Sequence, residues 1–124
     1  MTEISYAAAP LPVRDDLLAA HRRAWQRLAR AGTWWTGAER IAIAAEVRHA
    51  WQCSLCQARK VALSPYTIAG THDCLSQLSE SAIDVIHRVV TDPGRLTQAW
   101  FGKTMAAGEL TDAQYVEIVD VVVE

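Results

Sequence analysis

The stretch Thr36-Gly37-Ala38-Glu39-Arg40-Ile41-Ala42-Ile43-Ala44-Ala45-Glu46-Val47-Arg48-His49-Ala50-Trp51-Gln52-Cys53-Ser54-Leu55-Cys56 decides how this chain folds. Thr36 and Glu39 have capping-box spacing, each side chain satisfying backbone N–H groups that the first helical turn leaves open. Behind the cap, Ile41, Ile43, Ala44, Val47 and Ala50 are mostly small and apolar, as a buried helix requires. The stretch ends in a CxxC pair, Cys53 and Cys56, and Gln57-Ala58-Arg59-Lys60 continues as a helix. Whether the chain breaks at Trp51-Gln52 or runs straight through is left open.

Outward from this stretch the same punctuation recurs. Residues 1–12 read as an extended arm, because Pro10 and Pro12 resist helix. From Asp15, the residues Leu17, Leu18, Ala24, Trp25, Leu28 and Ala31 recur at helical steps, and Gly32 supplies a stop. Ser64-Pro65-Tyr66 ends the CxxC helix, since proline disfavours helical geometry in the residue before it. Residues 68–77 read as a loop. Leu78 and Ser79 form a staple and cap for a helix over 80–90, closed by Asp92-Pro93-Gly94. A short helix over 97–107 points Trp100, Phe101 and Met105 inward and stops at Gly108. Leu110-Thr111-Asp112-Ala113-Gln114 repeats the staple and capping box and opens a last helix through Val123. With no period-two stretch, the expected class is all-α: a compact bundle of about six helices, one domain over residues 13–124. In the last helix Val116, Ile118, Val119, Val121, Val122 and Val123 surround the axis rather than striping it. It is expected to be buried, either as an ordinary core helix or partly beneath a partner subunit.

The 124 residues are 51% hydrophobic and 21% charged, a globular composition. A formal net charge of −2 argues against nonspecific nucleic-acid binding. Arg22, Arg23, Arg27 and Arg30 cluster, but Asp15 and Asp16 share their helix, so they read as a solvated face. Residues 1–12 lack a signal-peptide pattern, and no apolar run reaches membrane-spanning length. Three cysteines are too few, and odd in number, for a secreted disulfide scaffold. The expected home is a reducing cytoplasm, where a CxxC is more often catalytic or metal-binding than structural.

Two thiols at this spacing on a helix close a disulfide with little backbone movement, and a helix N-terminus stabilises a thiolate. Redox chemistry is the leading expectation, and it needs no bound cofactor. A structural zinc site is the alternative, with Cys53, Cys56, His72 and Cys74 as its four ligands, and inert packing is a third reading. His72-Asp73 could instead line a pocket mouth, Cys74 reads as a small buried residue, and His87 as a packing or surface residue. Most of the five tryptophans read as core or interface, with Trp51 a candidate active-site wall. On an unbroken helix Glu46, His49 and Cys53 would share a face, with Glu46 orienting His49 as the base for a thiol. Lys60, four residues after Cys56, could support a thiolate electrostatically but is a poor base near neutrality.

The order of capped helix, CxxC, Ser-Pro break, Leu78-Ser79-Glu80 through Thr91-Asp92-Pro93, and Gly108-Glu109-Leu110-Thr111-Asp112-Ala113-Gln114-Tyr115-Val116-Glu117 resembles the carboxymuconolactone decarboxylase and alkylhydroperoxidase D-like family. The resemblance spans roughly residues 13–124. It implies an alkylhydroperoxidase D-like helical fold, assembly into trimers or hexamers, and peroxide reduction with an external dithiol as reductant. It assigns peroxide attack to Cys56 and resolution as a disulfide to Cys53. It also implies a C-terminal end that is incomplete here. The chain departs from the pattern at two positions: Lys60 stands where the redox members carry a histidine, and Ile41 where they carry a glutamate. Both belong to the family's proton relay, which leaves open a non-catalytic member that acts as an oligomeric binding module.

Overall fold

Side-chain caps written in the sequence start four helices. Thr36 and Thr111 close complete capping boxes with Glu39 and Gln114, while the Ser79 and Thr97 hydroxyls accept from the backbone N–H groups of Ala82 and Trp100. The computed structural model describes residues 5–124, so residues 1–4 of the expected arm lie outside the described residues. Among those described are six α-helices and no strand: α1 (Asp15–Leu28), α2 (Gly37–His49), α3 (Ser54–Val61), α4 (Glu80–Thr91), α5 (Gln98–Ala106) and α6 (Asp112–Val123). No helix is long and apolar enough to cross a membrane. The α5 stop is Gly108, whose φ of 78° lies in the left-handed region that favours glycine.

Helices α2, α4 and α6 pack on one another and carry most of the core. Ile43 and Ala44 of α2 meet Ala82, Val85 and Ile86 of α4 and Ile118 and Val121 of α6, with Leu28, Trp35, Trp100 and Leu110 closing the sides. One buried ion pair ties α2 to α6: Arg40 Nη1 donates to Glu117 Oε2 at 3.1 Å. Its Nε donates to the Leu28 carbonyl, and Glu117 also accepts from the Trp34 N–H. In α6, Ile118 and Val121 are buried whereas Val116 and Val123 are 65% and 74% exposed. Within a single chain the last helix is therefore covered on one side, not all round.

The feature that positions the site is the break between α2 and α3. Residues Ala50–Gln52 form one 3-10 turn, and Cys53 is extended (φ −72°, ψ 122°) as the residue capping α3. That turn delivers both cysteines into a second small apolar cluster of Cys53, Leu55 and Cys56, against which Ile68 packs.

Candidate functional site: a dithiol facing two histidine–carboxylate pairs

Both sulfurs are buried, Cys53 at 0% exposure and Cys56 at 3%. Cys56 points from the first turn of α3 toward α4, where its Sγ lies 3.4 Å from His87 Nδ1. On the other side of that ring, Nε2 sits 3.0 Å from Glu46 Oε2, and both side chains are fully buried. The second histidine arrives on the 68–79 loop. His72 Nδ1 lies 3.5 Å from Cys53 Sγ and 3.5 Å from Cys56 Sγ, and its Nε2 is 2.8 Å from Asp84 Oδ1. The rings of His72 and His87 stand 4.5 Å apart.

The loop is fastened just after His72 by two site residues. Asp73 accepts from the Ser54 N–H and hydroxyl at 2.9 Å, and its own N–H donates to Cys53 Sγ at 3.3 Å. Glu46 uses its other oxygen to accept from the N–H groups of Leu75 and Ser76. One buried carboxylate thus orients His87 and pins the loop that carries His72. Asp84 is bound in turn by Arg59, Arg88 and Trp100 Nε1.

Electrostatics separates the two histidines. Burial disfavours the imidazolium of His72, but Asp84 and the two thiols overcome it and raise its pKa to about 10. Burial dominates at His87 and pushes it below the ordinary histidine value despite Glu46, favouring the neutral ring. Burial pushes the Cys53 thiol up, yet the backbone N–H of Cys56, the His72 ring and the Asp73 N–H bring it below the usual thiol value. Burial likewise opposes the charged forms of Glu46 and Asp84, but their hydrogen bonds hold both below the usual carboxylate range. The metal-free site therefore sets an imidazolium at His72 beside the Cys53 thiol whose pKa it helps to lower, and a neutral ring at His87 beside Cys56.

The structure regroups the residues singled out from sequence. Cys53, Cys56 and Glu46 meet, but Glu46 orients His87 rather than His49, because the 3-10 turn ends the helix on which His49 would have shared a face with Cys53. Lys60 Nζ donates to the Thr91 carbonyl at 2.7 Å and lies over the Trp51 ring, so it anchors α3 to α4 instead of facing Cys56. Cys74 is exposed and takes no part in the cluster; the fourth donor is His87, with Cys53, Cys56 and His72, all donor atoms lying within 4.8 Å of one another. His87 and Asp84 were thus hidden from the sequence reading. Their signal was the Asp84-x-x-His87 spacing, which puts both on one face of α4.

A cavity of about 470 Å³, lined by Arg59, His72, Asp84, Trp100, Lys103 and Glu109 among others, opens on the outer side of His72. Neither CxxC sulfur lines it. Cys56 instead borders a cavity of only about 10 Å³, between Arg59, Tyr66, Arg88 and Thr91, on the order of a single water. Comparison with family models, with curated proteins and with solved structures finds no match to this chain.

Proposed function

We propose that this protein is a thiol-dependent peroxidase, of the kind implied by its resemblance to the redox branch of the alkylhydroperoxidase D-like family, in which Cys53 and Cys56 cycle between dithiol and disulfide. The observation that carries the reading is the line Cys56–His87–Glu46: nucleophile, neutral base and orienting carboxylate at hydrogen-bonding separations. It supplies from other positions the relay that Lys60 and Ile41 do not provide.

In the forward step Cys56 passes its proton to His87 Nδ1 as the sulfur attacks the near oxygen of the peroxide. The O–O bond breaks, Cys56 becomes a sulfenic acid, and the leaving hydroxide takes the proton from His87 and departs as water. The Cys53 thiolate then attacks the Cys56 sulfur. The S–S bond forms, the S–O bond breaks, and His72 protonates the departing hydroxide to a second water. Two electrons from the thiol pair have reduced one peroxide. An external dithiol restores the pair by exchange. Cys56 is the attacking sulfur because it borders a water-sized cavity and faces the neutral base. Assembly into a homo-oligomer is part of the same reading, and the exposed Val116 and Val123 of α6 are available to it.

The test is brief exposure of the reduced, chelator-treated protein to one equivalent of hydrogen peroxide, followed by alkylation and peptide mapping. A Cys53–Cys56 disulfide is expected. Cys56→Ser should abolish it, and Cys53→Ser should stop the reaction at a dimedone-reactive sulfenic acid on Cys56. Two thiols that remain fully alkylatable would overturn the proposal.

A further inference from the structure

His72 Nδ1 stands equally far, 3.5 Å, from two sulfurs. The ring is thus aimed at a point between the sulfurs, where an ion held by both would also face Nδ1. His87 Nδ1 completes the figure at 3.4 Å from Cys56 Sγ. Tetrahedral zinc with Zn–S of about 2.3 Å and Zn–N of about 2.0–2.1 Å requires sulfur–nitrogen edges of about 3.5–3.6 Å. Three of the four sulfur–nitrogen edges match that length to within about 0.2 Å, and all four donor atoms lie within 4.8 Å of one another. Both histidines turn Nδ1 inward and hold Nε2 against a carboxylate, Asp84 for His72 and Glu46 for His87. Such an outer carboxylate fixes the ring and the tautomer that leaves Nδ1 free to bind metal. The four donors come from three separate parts of the chain, they are buried or nearly so, and their charges suit a divalent ion, since two thiolates neutralise it.

We propose that the reduced cluster is a closed tetrahedral zinc site with Cys53, Cys56, His72 and His87 as its ligands, and that peroxide oxidation of the two cysteines expels the ion. Binding stands on the geometry alone; expulsion rests on the redox reading of the pair. On binding, Cys53 and Cys56 become thiolates, the His72 imidazolium releases its Nδ1 proton, the protons pass to solvent, and four bonds to zinc form. On oxidation, the two zinc-bound thiolates lose two electrons to one hydrogen peroxide. The S–S bond forms, the O–O bond, both Zn–S bonds and both Zn–N bonds break, two protons are taken from solvent, and two waters and one Zn2+ leave. A disulfide sulfur is a poor zinc ligand, and two histidines alone do not retain the ion. Zinc would thus hold the dithiol reduced and unreactive until a peroxide displaces it.

The experiment uses the whole chain, reduced and metal-stripped under anaerobic conditions, with Co2+ as the spectroscopic probe and Zn2+ in competition. One equivalent of Co2+ should give the ligand-field bands of a tetrahedral ion with thiolate-to-cobalt charge transfer, and Zn2+ should bleach them. Cys53→Ser should remove most of the charge-transfer intensity, and Cys74→Ser should change nothing. Asp84→Asn, which leaves all four ligands in place, should weaken binding about 10–100-fold. Hydrogen peroxide should release one zinc per disulfide formed, read with a chromogenic chelator. Absence of the tetrahedral spectrum, or its loss in Cys74→Ser, overturns the zinc site whatever the peroxide does. A tetrahedral site whose thiols resist peroxide while zinc is bound overturns expulsion and leaves the binding site standing; the peroxidase reading falls only if the chelator-treated protein also keeps both thiols alkylatable. Disulfide formation without metal binding overturns the zinc site alone.

Discussion

A histidine buried at 0% exposure, with Nε2 donating to a carboxylate and Nδ1 facing a sulfur, is costly unless both contacts are used. In the proposed peroxide step that makes His87 the deciding residue. His87→Gln should slow formation of the Cys53–Cys56 disulfide about 10²–10⁴-fold, the range for loss of a positioned base. His49→Gln should leave that rate unchanged, because Glu46 is committed to His87 and the loop; stopped-flow peroxide oxidation followed by quenched alkylation separates the two. Equal slowing by both variants would return the base to His49. The two cysteines were legible from their spacing alone, whereas helical spacing offered Glu46 only as a candidate orienter beside a plain surface or packing role. The partner of Glu46 was not legible, because Glu46 and His87 lie 41 residues apart and only the packing of α2 against α4 joins them. Reading along one helix offered His49, a neighbour in sequence that the 3-10 turn removes from the face of Cys53.

At the scale of elements, helix starts were the most legible feature, because a cap is a local interaction whose donor and acceptor lie within three residues. Thr36, Ser79 and Thr111 cap helices as their sequence patterns require. The break before Cys53 was illegible for the complementary reason: the 3-10 turn contains no proline or glycine, so no local signal marks it. Two further positions depend on how elements approach. Gly37 opens α2 directly beneath the end of α1, where an added Cβ would lie 2.2 Å from the Ala29 carbonyl oxygen. Backbone cannot move aside as a side chain does, so Gly37→Ala should destabilise the fold by about 1–3 kcal/mol, measured by urea unfolding. The Arg40–Glu117 pair joins α2 to α6 largely out of contact with water, and among the described residues Arg40 has only Glu124 Oε2, at 3.9 Å, as a second carboxylate neighbour. Glu117→Ala leaves the guanidinium with too few partners and should cost about 3–5 kcal/mol. The double variant Arg40→Met/Glu117→Leu should recover much of that loss, because it buries no unpaired charge. Failure to recover would show that the pair contributes net stability rather than avoiding a penalty.

The whole molecule inherits a pH profile from these buried groups, and in the reduced, metal-free protein its sign follows group by group. His87 is lowered from 6.5, so the unfolded chain binds more protons than the folded one once pH falls below about 6.5, and stability drops on acidification. Glu46 and Asp84 are lowered from 4.5 and 3.8; their contribution is present above those values and is lost as pH falls through the lower folded ones, which steepens the decline. His72 acts in the opposite sense. Raised from 6.5 to about 10, it contributes fully below pH 6.5 and loses that contribution as pH climbs toward 10. Cys53, lowered from 9.0, gains on the same climb and offsets part of the His72 loss close to 9. The sum is a stability maximum near pH 6.5, a steep acid limb and a shallower alkaline one. Urea unfolding across pH 3–10 reads it directly. His72→Gln should flatten the alkaline limb and leave the acid limb in place, whereas His87→Gln should remove the first part of the acid limb. A maximum well above pH 8 in the unsubstituted protein would mean that His72 is neutral in the folded state, and with it the imidazolium that helps to lower the Cys53 pKa would fall.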